Sequence, residues 1–403
     1  MFSDLLKDVV RYAERVGQEP PLAPREFRAL LEKSTAGKIL EPEEIVALLN
    51  STLDKSNQEV VLEIAAQDSR PQDQDILLLP PLYFSSVCEN QCLYCDFSSE
   101  GTRLSLPEFA EEFASLIDLG YRSIELVSSQ DPEIYLKSPD YSDENQSFDL
   151  QGVLPYFEES SRRLKQAGGG MLTSNIPPVD RSGFQQLSAA GLDCYLIWLE
   201  TFNPGQYEKL HYSHGPKNSQ DFRLNSVEEA IDAGLEHVAG AFLKGLYAWR
   251  KEEVILYLLD SYLKAKRGRG FSIIGTPRLK GKFTQSSLVK PYSVSDEEYT
   301  LNIALDRILF DGTLWLQTRE SFAFNLELIE RFGGGVILTL TSSTAPGGYS
   351  KPSDARAQFP VFKQDLEQSV AQLQERDLNV RFGWTPEVLA TFLRKNKPAQ
   401  TRS

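Results

Sequence analysis

Leu82-Tyr83-Phe84-Ser85-Ser86-Val87-Cys88-Glu89-Asn90-Gln91-Cys92-Leu93-Tyr94-Cys95-Asp96-Phe97 runs a short apolar strand straight into three cysteines at C-x3-C-x2-C spacing. The chain holds four cysteines in 403 residues, so three of them sit in this one loop. Three thiolates on a tight loop can hold three irons of a [4Fe–4S] cluster, for which thiolates are the usual ligands. The fourth iron then has no protein ligand and stays open to a small molecule. Zinc is the competing reading, but structural zinc usually takes four ligands, often as paired C-x2-C units. The nearest spare ligand here is far along the chain. Packing of three buried cysteines is the other alternative, and the scarcity of Cys elsewhere argues against chance clustering.

Working outward from this loop, short apolar runs alternate with longer amphipathic ones. Strands are expected at Leu82–Val87, Ser123–Ser128, Gly170–Ser174, Cys194–Leu199, Val238–Leu243, Phe271–Thr276, Thr313–Thr318 and Val336–Thr341. The segments between them carry apolar residues at helical spacing, as in Leu106–Leu119, Val153–Gln166, Lys251–Ala265 and Asp296–Leu309. Such alternation implies α/β architecture with a parallel sheet. About eight strand–helix units fit a (β/α)8 TIM-type barrel, and a doubly wound open sheet is the runner-up. Residues 1–76 read as an N-terminal helical extension, 77–345 as the barrel, and 346–403 as a C-terminal cap and tail.

In such barrels chemistry sits where the strands end. The expected strand ends deliver Cys88, Cys92 and Cys95, then Ser128-Ser129-Gln130, Asn175, Glu200, Lys244, Arg278, Arg319-Glu320 and the stretch from Ser342 to Gly348. Nearly every strand brings a polar or charged group to one rim. Cys194 begins a strand and is expected to pack away from that rim. His211 and His214 fall in a polar loop broken by Gly215-Pro216, and they and His237 read as structural.

Composition narrows the setting. Hydrophobic content of 41% and charged content of 25% suit a soluble globular protein. No apolar run approaches the ~20 residues of a membrane span, and the N-terminus lacks the apolar core of a secretion signal. A cytoplasmic location fits, because iron–sulfur chemistry and free thiols need a reducing compartment. A formal net charge of −15 without a basic stripe argues against a nucleic-acid partner.

Further stretches narrow the family: Glu200-Thr201-Phe202-Asn203, Tyr207-Glu208-Lys209-Leu210-His211, Gly215-Pro216-Lys217, Asp221-Phe222-Arg223-Leu224 and Gly245-Leu246-Tyr247. Then follow Gly275-Thr276-Pro277-Arg278-Leu279, Thr318-Arg319-Glu320-Ser321 and Ser343-Thr344-Ala345-Pro346-Gly347-Gly348. In this order the set resembles the aromatic amino acid lyase branch of the radical S-adenosylmethionine (SAM) enzymes, over about 77–384. That branch includes 2-iminoacetate synthase (the tyrosine lyase of thiamine biosynthesis), the tyrosine-cleaving [FeFe]-hydrogenase maturase and 3-methyl-2-indolic acid synthase.

The resemblance implies a [4Fe–4S] cluster on Cys88, Cys92 and Cys95, with SAM chelated at the open iron and cleaved to a 5′-deoxyadenosyl radical. It implies aromatic cover of the adenine by Tyr94 and Phe97, and SAM contacts from Ser128, Gln130, Asn175, Glu200 and Arg223. Arg278 is expected to hold the substrate carboxylate, with Arg319 and Glu320 on its ammonium or on each other. The implied reaction breaks the Cα–Cβ bond of a free aromatic amino acid, tyrosine giving 2-iminoacetate (dehydroglycine) and p-cresol. The implied partners are that small molecule and a reductant such as flavodoxin or ferredoxin. Departures leave alternatives open. Ser128-Ser129-Gln130 stands for the branch's Thr-Gly-Glu, Phe202-Asn203 for Tyr-His, and Lys280 for Arg. Tryptophan or another amino acid-like substrate, and a cluster-bearing scaffold without turnover, stay in view. The absence of a second cysteine cluster argues against the full hydrogenase-maturase role.

Overall fold

The computed structural model describes residues 1–142, 144–211 and 215–393. Twelve strands occur among them: β1 (Asp75–Leu78), β2 (Pro81–Ser85), β3 (Ser123–Ser128), β4 (Leu136–Lys137), β5 (Phe148–Asp149) and β6 (Met171–Asn175), then β7 (Cys194–Trp198), β8 (His237–Ala241), β9 (Ile273–Gly275), β10 (Thr313–Leu316), β11 (Val336–Leu338) and β12 (Asn379–Arg381). Ten form one sheet in the order β12-β1-β11-β10-β9-β8-β7-β6-β3-β2, while β4 and β5 make a small antiparallel hairpin.

Every pairing in the large sheet is parallel, and from β2 to β11 each strand lies beside the next strand of that sheet in sequence. A doubly wound sheet would reverse its order part-way. Here β1 pairs with β11 while β2, only two residues further on, pairs with β3. The two edges of the curled sheet therefore meet in one run of chain, Asp75–Ser85, giving the TIM-barrel-like form. Pro80 and Pro81 mark the handover: the Leu79 N–H still donates to the Leu338 carbonyl, and the Pro80 carbonyl already accepts from Glu125. All eight expected strands are present. β1, β12 and the hairpin were not anticipated.

Alternate strand residues face inward and outward. Outward residues such as Ile124, Leu126, Ile274 and Leu314 pack under the helices in the main core. Inward residues Leu77, Met171, Cys194, Leu196, Ile273 and Ile337 form a second apolar cluster that plugs the barrel. Trp384, 1% exposed, and Leu389 of the helix Pro386–Phe392 complete the plug. Trp384 is fixed by its Nε1–H donating to the Leu78 carbonyl at 3.0 Å. The barrel's lower end is thus filled, which leaves the strands' C-terminal rim for a ligand.

The helices Phe2–Ala13, Pro24–Thr35, Pro42–Ser51 and Lys55–Gln67 pack on the barrel's outer helices, the first against Trp249–Arg267 and the last against Asp296–Leu309. Starts are set by local chemistry: Ser105 and Ser295 each form a capping box with a glutamate three residues on. No helix among the described residues is long and apolar enough to cross a membrane.

Candidate active site

The cysteine loop leaves β2 and is tied down on both flanks. The Cys88 N–H donates to the Ser98 carbonyl at 2.9 Å, and the Glu89 N–H donates to the Gln130 carbonyl at 3.0 Å, beyond β3. Cys88, Cys92 and Cys95 line one cavity at the strand ends, together with Phe97, Ser128, Gln130, Asn175, Glu200 and Arg223. Burial pushes the thiols up, Cys88 to about 11 and Cys95 to about 12, and Cys92 moves the same way. They therefore keep their protons at neutral pH until a metal takes them, since a coordinating thiol is deprotonated outright. Among the described residues no three His, Cys, Asp or Glu side chains converge on a single ion position.

Glu200, at the end of β7, stands at φ 65°, in the left-handed region that non-glycine residues rarely occupy. Such strain persists only where surroundings hold it. Here the buried Glu252 carboxylate accepts from the Thr201 hydroxyl at 2.7 Å and from the Phe202 N–H at 2.8 Å, clamping the turn. Burial pushes the Glu252 carboxyl up to about 7. The Glu200 carboxylate itself meets Lys217 Nζ at 2.6 Å and Arg223 at 3.8 Å. Burial alone would raise its carboxyl, but those two cations outweigh it and hold Glu200 below the usual carboxylate range. The site thus presents an ionised carboxylate beside two cations. Arg223 keeps an unpaired buried Nε, and Gln130 an unpaired buried side-chain nitrogen.

The remaining expected residues are placed as follows. Phe97 lines the cavity and packs edge-on to Tyr83, with ring centroids 5.9 Å apart. The Ser128 hydroxyl is already engaged with the Tyr135 hydroxyl. Asn175 borders both this cavity and a second one deeper in the barrel. Tyr94 lies behind the loop rather than on the cavity wall, its hydroxyl bonded to His211 Nε2 and Lys217 above its ring. His211 is buried and neutral, its pKa pushed down to about 3 by burial. His214 lies outside the described residues.

Arg278 and Glu320 are paired with each other. Arg278 is 2% exposed and bidentate to Glu320, at 2.8 and 2.5 Å. It also meets Asp296 at 2.7 Å and stacks over the Tyr299 ring. Neither residue is among those lining the cluster cavity. After β9 the strand alternation turns Thr276 and Arg278 outward, where Tyr299 of the helix Asp296–Leu309 receives both. Lys280 joins the same group, 2.9 Å from Glu320. Arg319 is different: buried, with no ion pair among the described residues, an unpaired Nε, and its guanidinium 3.4 Å above the Phe359 ring.

Sequence reading passed over Lys217, Glu252 and Gln358. Lys217 was quoted only within a motif, and nothing local shows that it folds back onto Glu200, 17 positions earlier. Gln358 comes from the C-terminal cap and reaches the cavity by tertiary folding alone. Of the departures, Asn203 caps the helix Pro204–Leu210 by accepting from the Gln206 N–H, and Phe202 is fully buried in the core.

Residues 82–259, from β2 through the cysteine loop into the helix after β8, match the model of the Radical SAM superfamily. The chain carries a radical SAM domain. Members of that superfamily use a [4Fe–4S] cluster and SAM. The chain is 26% identical over 303 residues to 2-iminoacetate synthase of Escherichia coli (strain K12), covering 72% of this chain and 73% of that protein. The X-ray structure of the FeFe-hydrogenase maturase HydG from Carboxydothermus hydrogenoformans superposes with a TM-score of 0.78 at 25% identity, over 98% of this chain and 87% of that one. Methylornithine synthase (PylB) shares the fold at 18% identity, with a TM-score of 0.62 over 87% of this chain and 97% of that one. The radical SAM enzyme's cavity fits both cofactors chemically: three cysteines on one side, and unpaired donors of Arg223 and Gln130 beside an ionised carboxylate on the other.

Proposed function

We propose that this radical SAM enzyme is a carbon–carbon lyase acting on a free aromatic amino acid, with tyrosine cleaved at Cα–Cβ to 2-iminoacetate and p-cresol. The observation that carries the reading is the single cavity onto which Cys88, Cys92, Cys95, Glu200 and Arg223 all open, and which continues at Asn175 into the barrel interior. When bound, the reduced cluster and SAM supply a 5′-deoxyadenosyl radical, and the cofactors carry the hard chemistry. The protein binds, orients and excludes water. Cys88, Cys92 and Cys95 would hold the cluster. Arg223 suits the SAM carboxylate, as a guanidinium makes charge-assisted pairs with carboxylates. Glu200, kept ionised by Lys217, accepts from the ribose hydroxyls or the amine. Arg319, a buried cation with no ion pair among the described residues, takes the substrate carboxylate, in place of Arg278, which is committed to Glu320. That anchor aims the substrate amine at the site of hydrogen abstraction, where positioning supplies much of the rate. The apolar plug beneath keeps bulk water from the open-shell fragments. A reductant protein such as flavodoxin or ferredoxin supplies the electron.

The test is an anaerobic assay of the reconstituted, reduced protein with SAM and each aromatic amino acid, read by mass spectrometry. 5′-Deoxyadenosine together with p-cresol from tyrosine supports the reading. 5′-Deoxyadenosine with no cleaved aromatic amino acid refutes the substrate, and none at all from a fully loaded cluster supports the scaffold alternative.

A further inference from the structure

Two loop segments at the cluster end of the barrel are basic in an otherwise acidic chain. Residues 279–295, after β9, carry Lys280, Lys282 and Lys290 and no acidic residue. Residues 355–364, after β11, carry Arg356 and Lys363 and again no acidic residue. Both run against the formal net charge of −15. The two segments are packed together on the cysteine loop. A Cβ at Gly281 would come within 2.9 Å of the Pro360 ring. Phe359 packs on the apolar cluster of Leu279, Phe283 and Val289, as do Cys92 and Cys95. Lys282 Nζ lies 2.6 Å from Asp96, the residue after Cys95, and the Asp96 N–H donates to the Gln358 carbonyl at 3.0 Å.

Residues 355–364 form a single thickness of chain between the cluster cavity and solvent. Gln358 lines the cavity, while Arg356, Phe362 and Lys363 of the same segment are exposed. The cysteine loop also reaches the surface, at the exposed Leu93 between Cys92 and Tyr94. Lys280 and Lys282 already have carboxylate partners, Glu320 and Asp96. Lys290, Arg356 and Lys363 have no ion pair among the described residues. Phe362 is 48% exposed, an aromatic ring left in water beside the Lys363 cation. Aromatic residues are enriched at protein interfaces and are frequent binding hot spots there.

We propose that this basic face, residues 279–295 and 355–364 with Phe362 as its apolar anchor, is the docking surface for the electron donor, and that the donor is a small acidic one-electron carrier protein. The inference rests on the cluster being held by Cys88, Cys92 and Cys95, and is independent of which amino acid is cleaved. One electron passes from the reduced carrier, which is oxidised, to the cluster, which is reduced, and no atom is transferred. Electron transfer slows steeply with distance, so the donor must dock where the cluster ligands lie closest to solvent. An acidic chain repels an acidic carrier over most of its surface. A local patch of opposite sign steers the encounter and fixes where it ends.

The test is binding of the carrier, read by anaerobic calorimetry of the cluster-loaded protein with flavodoxin and, in parallel, ferredoxin. The natural chain is compared with a face variant, Lys290→Glu with Arg356→Glu and Lys363→Glu. A control variant makes the same change of net charge on the N-terminal helical segment, Lys7→Glu with Arg25→Glu and Lys38→Glu, all at exposed positions. Cluster content and thermal unfolding serve as folding controls. The natural chain is expected to bind one of the carriers with an affinity that falls as salt is raised. The face variant weakens binding at least about tenfold, and the control less than about threefold. Phe362→Ser weakens it by about tenfold as well, as loss of an apolar anchor does. Stopped-flow reduction of the cluster by the same carrier slows in parallel in the face variant, while reduction by dithionite keeps its rate. Equal weakening in the face and control variants overturns the inference, because net charge is then responsible. Unchanged affinity in the face variant, or no binding of either carrier to the natural chain, overturns it too. Cleavage of tyrosine driven by dithionite is unaffected by these outcomes and tests the lyase reading separately.

Discussion

Replacing Lys217 by Met isolates the electrostatic logic of the candidate site. Lys217 Nζ lies 2.6 Å from Glu200 Oε1, with the two side chains 15% and 7% exposed. Met keeps the aliphatic stem and removes the charge, leaving a buried carboxylate with Arg223 at 3.8 Å as its remaining cation. Stranding one member of a buried pair costs about 3–5 kcal/mol. The surviving arginine puts the expected loss near the lower end, about 3 kcal/mol, plus about 0.5–1 kcal/mol from the cation lost above the Tyr94 ring. Glu200→Gln added to Lys217→Met removes the stranded charge, so the double variant is expected to be more stable than Lys217→Met alone. Urea unfolding of the cluster-free protein under reducing conditions measures both, and the cycle yields the coupling. A Lys217→Met loss under about 0.5 kcal/mol, the range of neutral surface changes, would refute the argument. So would a double variant no more stable than the single, because the penalty then comes from packing rather than from an uncompensated charge.

Three further outcomes are expected. Alanine at Cys88, Cys92 or Cys95 abolishes iron retention after anaerobic reconstitution, read by iron analysis and visible absorbance, whereas Cys194→Ala keeps the iron and costs on the order of 1 kcal/mol of stability, since Cys194 lies in the plug. Glu252 gives a pH signature: its carboxyl sits at about 7 in the fold against an ordinary 4.5. Its contribution to stability is then full below about 4.5 and falls as pH rises through about 7, so Glu252→Gln should flatten the stability profile across that window; a difference from the natural chain that is constant with pH counts against it. Gly275→Ala drives a Cβ into the Trp198 indole, which has a ring atom 2.1 Å away; it should cost about 1–3 kcal/mol and shift tryptophan emission, and an unchanged spectrum and stability would show that the indole has room to move.

The strand–helix alternation from Leu82 to Thr341 was readable because period-2 and period-3.6 apolar patterns reflect burial that each segment must satisfy wherever it lands. The cysteine loop was readable for a different reason: its three cysteines are local in sequence, so their spacing alone marks them as a candidate ligand set. β1 and β12 were not read from the sequence and appeared only when their pairing partners were in place. The helix Pro386–Phe392 has a readable start at Thr385, yet its role as the barrel's plug depends on Trp384 reaching the Leu78 carbonyl 306 positions away.

The same division runs through the site. Sequence by itself determined the fold class, the clustered cysteines, and the rim on which Gln130 and Glu200 gather, because strand ends in a parallel barrel must share a face; Arg223, in the helix Gln220–Asp232, was expected there only from the resemblance. It did not determine what each charged side chain touches. Arg278 and Arg319 both end strands and look alike in the chain, yet the first is turned outward into Glu320 and Asp296 while the second is left unpaired over Phe359. Glu125 reads as a polar break in an apolar strand until the closed barrel puts it on the wall of the deeper cavity. Which cation pairs, which acid is buried and which thiols share a cavity depend on side-chain direction and long-range approach, and only the tertiary structure sets those.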